Sequence, residues 1–225
     1  MADMRTFEHD KEHGDVPAED PRAFWDARYA SAPNVWSGQV NAALAAVVEP
    51  LGPGSALDLG SGEGGDVCWL AQRGWFATGV ELSAVAVQRA RELATATGCQ
   101  DRAHFITGDL TTWRPPNEQC YDLITASFLQ SPVRLERSSI LRDFSRYVAP
   151  GGHMVILAHA KPPTWLEGTG RGPSSFYTPD EDLAALDLDP DTWEIKRADT
   201  ILREATGPEG QPGVWEDSVV VVRAA

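Results

Sequence analysis

Short apolar runs alternate with stretches whose apolar positions recur every three or four residues, the pattern of a parallel sheet covered on both faces by helices. The runs fall at residues 56–59, 76–80, 104–106, 121–126 and 153–158. Between the first two, residues 66–73 read as a helix stopped by Gly74. After the second, Ser83 caps a helix that turns Val87, Ala90 and Ala94 inward and ends before Gly98. A further helix over 135–148 stops at Pro150-Gly151-Gly152, a turn that feeds the fifth run. Upstream, residues 24–29 form a short helix candidate. Ser37 then caps a helix with Val40, Leu44, Val47 and Val48 on one face, ended by Pro50 and Gly52. Residues 160–178 are rich in Pro and Gly, with Trp165, Phe176 and Tyr177 interspersed, and so long a loop in a compact domain is more often functional than idle. Thr178-Pro179-Asp180-Glu181 opens a last helix with a capping box. Two strand candidates, 193–202 and 214–222, close the chain as an antiparallel hairpin.

The 225 residues amount to about 1.5 typical domain lengths, so one domain with appendages is expected rather than two. The division read from the chain is a flexible acidic tail over 1–20 and a single domain over 21–225. Within that domain, 21–50 form N-terminal lid helices and 160–192 a variable insertion on the substrate side. A hydrophobic content of 42% with 23% charged residues is that of a globular protein able to bury a sizeable core. The net charge of -14 would repel a phosphate backbone or an anionic membrane, which argues against nucleic-acid and membrane partners. Cys68, Cys99 and Cys120 are odd in number and hold no C-x-x-C pair, so reduced thiols are expected, with neither a zinc site nor a disulfide framework. No apolar run approaches the ~18 residues of a membrane span, and the N-terminus lacks a basic region followed by an apolar stretch. A cytoplasmic protein, monomer or homodimer, is the expectation.

The candidate chemistry sits in Leu57-Asp58-Leu59-Gly60-Ser61-Gly62-Glu63-Gly64-Gly65, between the first strand and its helix. Glycines there let a ligand approach the backbone at the carboxyl edge of the sheet, a nucleotide site by position. Glu81 ends the second strand, where a carboxylate can take both hydroxyls of an adenosine ribose. Gly60, Gly62 and Gly65 also satisfy G-x-G-x-x-G, so the glycines alone leave a nicotinamide dinucleotide open as the ligand. The charges discriminate. A pyrophosphate would meet Asp58, Glu63 and Asp66, and a like-charge contact near 4 Å costs roughly 4 kcal/mol at an effective dielectric of about 20. Only Arg73 is basic between Asp58 and Glu81. An acidic turn instead suits a ligand that carries an ammonium group and a sulfonium centre.

Taken in order, these segments resemble the class I S-adenosylmethionine-dependent methyltransferases over most of residues 36–160. Leu57 to Gly64 is similar to that family's glycine-rich first motif, and Glu81-Leu82-Ser83 to the acidic end of its second strand. Thr107-Gly108-Asp109-Leu110 resembles the segment beside the adenine amino group. Tyr121-Asp122-Leu123-Ile124 resembles the fourth strand, and Val148-Ala149-Pro150-Gly151-Gly152 the turn before the fifth. Phe24-Trp25-Asp26 to Tyr29, Trp36-Ser37-Gly38 and Asp109-Leu110-Thr111-Thr112-Trp113 resemble the small-molecule branch related to thiopurine and tellurite-resistance methyltransferases.

The resemblance implies a Rossmann-like, doubly wound, seven-stranded α/β sheet, mostly parallel with an antiparallel last strand. It implies S-adenosyl-L-methionine as cofactor and methyl transfer to a small-molecule S, N or O nucleophile. The implied cofactor residues are Trp36, Asp58, Gly60, Ser61, Gly62 and Gly64 on the first half of the site. Glu81, Leu82, Ser83, Asp109, Leu110, Ser127 and Phe128 complete it. The acceptor would meet Trp25, Tyr29, Trp36, Phe128, His159 and Trp165. His159, just past the fifth strand, is the candidate base, since an imidazole titrates near neutral pH. No metal is expected. Amino-methylating nucleic-acid enzymes of the superfamily carry Asn or Asp, two prolines and an aromatic after the fourth strand; here that place reads Ala126-Ser127-Phe128-Leu129. The alternatives are an NAD(P)-dependent oxidoreductase and a noncatalytic S-adenosylmethionine-binding module.

Overall fold

The computed structural model describes residues 20–166, 175–207 and 210–225. Residues 1–19 of the expected acidic tail, with His9 and His13, lie outside the described residues, as do 167–174 of the long loop and 208–209 of the closing hairpin.

Seven strands form one sheet in the order β3-β2-β1-β4-β5-β7-β6. They are β1 Ser55–Leu59, β2 Phe76–Glu81, β3 Ala103–Thr107, β4 Tyr121–Ser127, β5 Val148–Lys161, β6 Trp193–Thr206 and β7 Pro212–Ala224. The first five pair parallel to one another, and β7 runs antiparallel to both β5 and β6. Helices cover both faces: α1 Pro21–Ala30, α2 Ala42–Val48, α3 Gly65–Gln72, α4 Ala84–Ala96, α5 Arg137–Ser145 and α6 Pro179–Leu186.

The strands are apolar on both sides because both faces are covered. Side chains alternate between the two layers residue by residue. Ala56, Leu123, Val155, Leu157, Val219 and Val221 pack with Leu44, Val67 and Val87 of α2, α3 and α4. Their neighbours Leu57, Ile124, Met154, Ile156, Val220 and Val222 pack with Ile140, Leu141, Phe144 and Leu186 of α5 and α6. Burying both rows of five central strands removes a large apolar area from water, at roughly 25 cal/mol per Å².

Three local expectations are corrected. Ser37 does not cap α2. Its hydroxyl accepts from the Gln39 amide, Gly38 adopts φ +67°, and the helix starts only at Ala42 behind Asn41, whose side chain accepts from the Ala43 amide. A left-handed residue directly after Ser37 breaks the turn there, so the right-handed helix has to begin downstream. The helix expected over 135–148 is shorter at both ends, because Val148 already pairs with Tyr121 as the start of β5. Pro150-Gly151-Gly152 consequently lies inside β5 as an irregularity. The register advances from Tyr121 to Leu123 on β4 while it moves from Val148 to His153 on β5.

Other caps form as the pattern predicts. The Ser83 hydroxyl accepts from the Ala86 amide, and Thr178 and Glu181 complete both bonds of the capping box. Cys68 and Cys99 are buried and Cys120 is exposed. Among the described residues no helix is long and apolar enough to cross a membrane, and no cluster of three or more His, Cys, Asp or Glu could hold a metal ion.

Candidate functional site

The carboxyl ends of the parallel strands open into a cleft of about 850 Å³, toward the upper end of the ~300–1,000 Å³ typical of small-molecule sites. Sheet order distributes the chemistry along it. Asp109 follows β3, Glu81 ends β2, Asp58 lies in β1 with the glycine turn after it, Ser127 ends β4 with Phe128 after it, and His159 lies in β5. With strands ~4.8 Å apart, β5 lies about 10 Å from β1 and about 19 Å from β3. Because β7 is antiparallel, it brings the first half of its length, Trp215 included, to the same edge.

The glycine turn is held from below: the Gly60 and Ser61 amides donate to the Val80 carbonyl at 2.9 and 3.1 Å. Gly60 sits at φ +74°, and a Cβ there would come within 2.7 Å of Leu129. Glu81 is buried and accepts from two amides, Gly62 on Oε2 at 3.0 Å and Ser83 on Oε1 at 2.8 Å. Each oxygen retains a lone pair for a further donor. Burial holds the Glu81 carboxyl above its usual range, against the amide bonds that favour its charge.

Asp58 accepts from the Thr125 hydroxyl at 2.6 Å, yet burial, with Asp66 nearby, pushes its carboxyl up to about 8. Asp66 is raised too, again by burial, with the Ser127 hydroxyl and the Asn41 amide working the other way. Buried Asp58 and Glu81 and half-buried Asp66 thus share one wall, and among the described residues none of them is in an ion pair. Isolated buried charge is costly, so this wall is complementary to an incoming cation.

Glu63, expected to add to this acidic face, does not. Its Oε2 accepts from the Val35 and Trp36 amides at 3.0 and 2.9 Å, and its Oε1 from Arg89 at 2.8 Å. Its charge is spent tying the segment after α1 to the turn. Further bonds dock α1 beside β2. Arg22 donates to the Leu82 carbonyl at 2.8 Å, and the Ser83 hydroxyl donates to Asp26 at 2.6 Å. The Trp25 indole donates to Ser131 at 3.3 Å, and the Trp36 indole donates to the Tyr29 hydroxyl at 3.0 Å. Burial, followed by the field of Glu81, holds the Tyr29 hydroxyl well above the ordinary phenol range.

At the far end, Phe128 occupies φ +54°, and its ring lies 4.5 Å from that of His159. The imidazole also stacks on Trp215, with ring centroids 4.1 Å apart. His159 Nδ1 lies 2.7 Å from Asp217 Oδ1, and Arg203 Nε donates to Asp217 Oδ2 at 2.8 Å. The Gln130 side chain accepts from the His159 amide at 2.8 Å.

Of the residues expected from the sequence, Asp58, Gly60, Ser61, Gly62 and Glu81 line the cleft. So do Leu82, Asp109, Leu110, Ser127 and Phe128, and from the acceptor set Trp25, Tyr29, Trp36 and His159. Three do not. Gly64 turns toward Ala90 and Phe105, where a Cβ would come within 2.8 Å of either. Ser83 is fully buried as the cap of α4. Trp165 packs with Leu166 and Trp215 against the β6–β7 hairpin. Arg203, Trp215 and Asp217 were missed, because only the strand register of that hairpin brings them to the edge.

Residues 56–152 match the family described as a methyltransferase domain. Ribosomal RNA small subunit methyltransferase C of Alcanivorax borkumensis is 31% identical over 121 residues, 51% of this chain and 36% of that protein. Norajmaline N-methyltransferase of Rauvolfia serpentina is 31% identical over 109 residues, 48% of this chain and 37% of that protein. The match thus spans little more than a third of the length of either relative. TehB from Haemophilus influenzae has the same fold, with a TM-score of 0.66, 15% identity, and coverage of 91% of this chain and 67% of that one. So does a protein solved for the conversion of a disulfide bond into a thioacetal group during echinomycin biosynthesis. Its TM-score is 0.65 and its identity 22%, with 90% of this chain and 92% of that one covered.

Proposed function

From the match of residues 56–152 to a methyltransferase domain, we propose that this chain is a class I methyltransferase that transfers a methyl group from S-adenosylmethionine to a small-molecule nucleophile. The observation that carries the reading is the acidic wall of buried Asp58 and Glu81 with half-buried Asp66 beside the glycine turn, lining a cleft with room for a donor and an acceptor together. The donor supplies a methyl group on a positively charged sulfur with a good leaving group. Asp58 and Asp66 suit its ammonium, and the open lone pairs of Glu81 suit the ribose hydroxyls. Asp109 and Leu110, at the β3 end, suit the adenine. A dinucleotide's pyrophosphate fits this wall poorly, since like charge would be added to buried carboxylates.

For in-line displacement the protein mainly aligns the partners and keeps water out. The docking of α1 and of the Trp36 segment beside the turn supports giving both tasks to them. Phe128 and His159 would meet the acceptor, with His159 as base. A small acceptor is favoured by the charge of -14 and by the stretch Ala126-Ser127-Phe128-Leu129 after β4. The norajmaline and echinomycin proteins, whose names point to small-molecule chemistry, support the same choice. The ribosomal RNA relative points elsewhere, and since both relatives share little more than a third of their length with the chain, the charge and the stretch after β4 carry the choice.

Calorimetry on the purified chain tests the reading. S-adenosylmethionine and S-adenosylhomocysteine should bind with micromolar dissociation constants and NADH should give no heat. Binding of NADH alone would overturn the proposal.

A further inference from the structure

The β6–β7 hairpin places two charged side chains behind His159, and the strand register dictates how. His159 and Asp217 are directly opposed on the antiparallel β5–β7 pair, so their side chains leave the same face of the sheet. Trp215, two residues from Asp217 on β7, shares that face, and Arg203 is opposed to Trp215 on the β6–β7 pair. Arg203 therefore lies diagonal to Asp217, and the three form a chain: Arg203 Nε to Asp217 Oδ2 at 2.8 Å, Asp217 Oδ1 to His159 Nδ1 at 2.7 Å. Asp217 is only 2% exposed. An ionised carboxylate only accepts, so Nδ1 carries the hydrogen and Nε2 keeps a lone pair as the ring nitrogen left for the cleft. Phe128 and Trp215 both pack on the ring.

We propose that Asp217 and Arg203 are positioning residues that fix His159 as a general base, and that the methyl acceptor is an aromatic compound bearing an acidic proton on its nucleophilic atom, a phenol or an aryl thiol. This rests on the donor reading above. A neutral imidazole can take a proton from groups of pKa about 8.5 to 10 but is poorly matched to an aliphatic alcohol. Phe24, Trp25 and Tyr29 of α1, which also line the cleft, offer flat apolar surface to such a ring. In the step, the acceptor's proton passes to Nε2 while its electron pair forms the bond to the methyl carbon. The carbon–sulfur bond breaks with its pair going to sulfur, leaving S-adenosylhomocysteine, and the imidazolium then releases its proton to solvent.

Arg203 has a second effect. Among the described residues the charged groups at this end of the hairpin are Arg203, Glu204, Glu216 and Asp217, with Lys161 of β5 paired to Glu216 at 2.9 Å, and of these Asp217 and Arg203 act on His159. Burial first lowers the His159 pKa, Asp217 raises it, and Arg203 lowers it further, so the base stays neutral at neutral pH.

The test uses the full chain labelled with ¹⁵N-histidine, with His159→Gln to assign the signal. Wild type should carry the Nδ1–H tautomer at position 159, and Asp217→Asn should lose it. With S-adenosylmethionine and a panel of phenols and aryl thiols, Asp217→Asn should lower kcat at least a hundredfold for phenols protonated at the assay pH. For aryl thiols already ionised the loss should stay under tenfold. The affinity for S-adenosylhomocysteine should stay within threefold, which also reports folding. Arg203→Gln should shift the acid limb of the pH profile upward. An Nε2–H tautomer in wild type, equal loss across the panel, or no turnover with any phenol or aryl thiol would overturn the proposal. Failure of wild type to bind S-adenosylhomocysteine would instead overturn the donor reading.

Discussion

Asp58→Asn tests the acidic wall most directly, because the wild-type carboxyl sits near 8 for identifiable reasons: burial first, then the Asp66 charge, against the Thr125 hydroxyl bond. At pH 6 the free protein holds this group protonated, and a cationic ligand that needs the carboxylate must displace the proton. The apparent affinity is then reduced by the ionised fraction. For a group near 8 that factor is roughly 100 at pH 6, about 11 at pH 7 and about 1.3 at pH 8.5, from the ordinary titration relation. The dissociation constant of S-adenosylhomocysteine, which retains the ammonium, should accordingly fall about 77-fold between pH 6 and pH 8.5.

The sign can be checked independently. A carboxyl raised by folding releases a proton when a cation binds, so calorimetry at pH 7 in buffers of different ionisation enthalpy should report about 0.9 proton released. Asp58→Asn should weaken binding at pH 8.5 at least thirtyfold and leave a much smaller gap at pH 6, since neutral Asp and Asn are alike. Asp66 and Glu81, both raised by burial, keep a residual slope in the variant. A dissociation constant flat across this range in wild type, with no buffer dependence, would refute the reasoning.

Three further outcomes follow from the same geometry. The raised Asp58 pKa also bears on stability: folding binds its proton more tightly, so this group's contribution is most favourable below pH 4 and is lost as pH rises toward 8. Asp58→Asn should therefore gain melting temperature over wild type as pH increases, by thermal denaturation. Glu81→Gln should weaken S-adenosylhomocysteine at least tenfold by calorimetry, because an amide offers one accepting oxygen where the carboxylate offers two. Glu63→Gln removes the charge that holds Val35, Trp36 and Arg89 together, so hydrogen exchange at the Val35 and Trp36 amides should speed up tenfold or more.

How much of the site was legible in the sequence depended on how local its signals were. Asp58, the glycine turn and Glu81 are announced by neighbours in sequence, since a strand end, a left-handed turn and a helix start occupy consecutive positions. The five parallel strands were legible for the same reason: runs apolar on both faces need helices between them. Arg203 and Asp217 had no such signal. Their place depends on the β5–β7 and β6–β7 registers, and a shift of one residue would turn both to the opposite face. Glu63 misled because its composition matched the acidic face while its partners, Val35, Trp36 and Arg89, lie 26 to 28 residues away. Ser37 misled because capping chemistry was read without the φ of the glycine that follows it.

Phe128 separates what the fold requires from what the site requires. A bulky residue at φ +54° is disfavoured by roughly 1 to 2 kcal/mol relative to a right-handed conformation, and glycine escapes that penalty. The ring stays there because the turn aims it at His159, 4.5 Å away, while the backbone is pinned by the Phe128 amide to the Leu157 carbonyl at 2.8 Å. Truncation removes the same ring contacts in Phe128→Ala and Phe128→Gly, but only glycine also relieves the backbone. Phe128→Gly should therefore be about 1 kcal/mol more stable than Phe128→Ala by denaturant titration, the reverse of the usual order. If the strain is retained in order to hold the imidazole, both variants should also lower turnover with phenols. Equal stabilities would mean that the turn carries no strain, and unchanged turnover would mean that the ring has no part in holding His159.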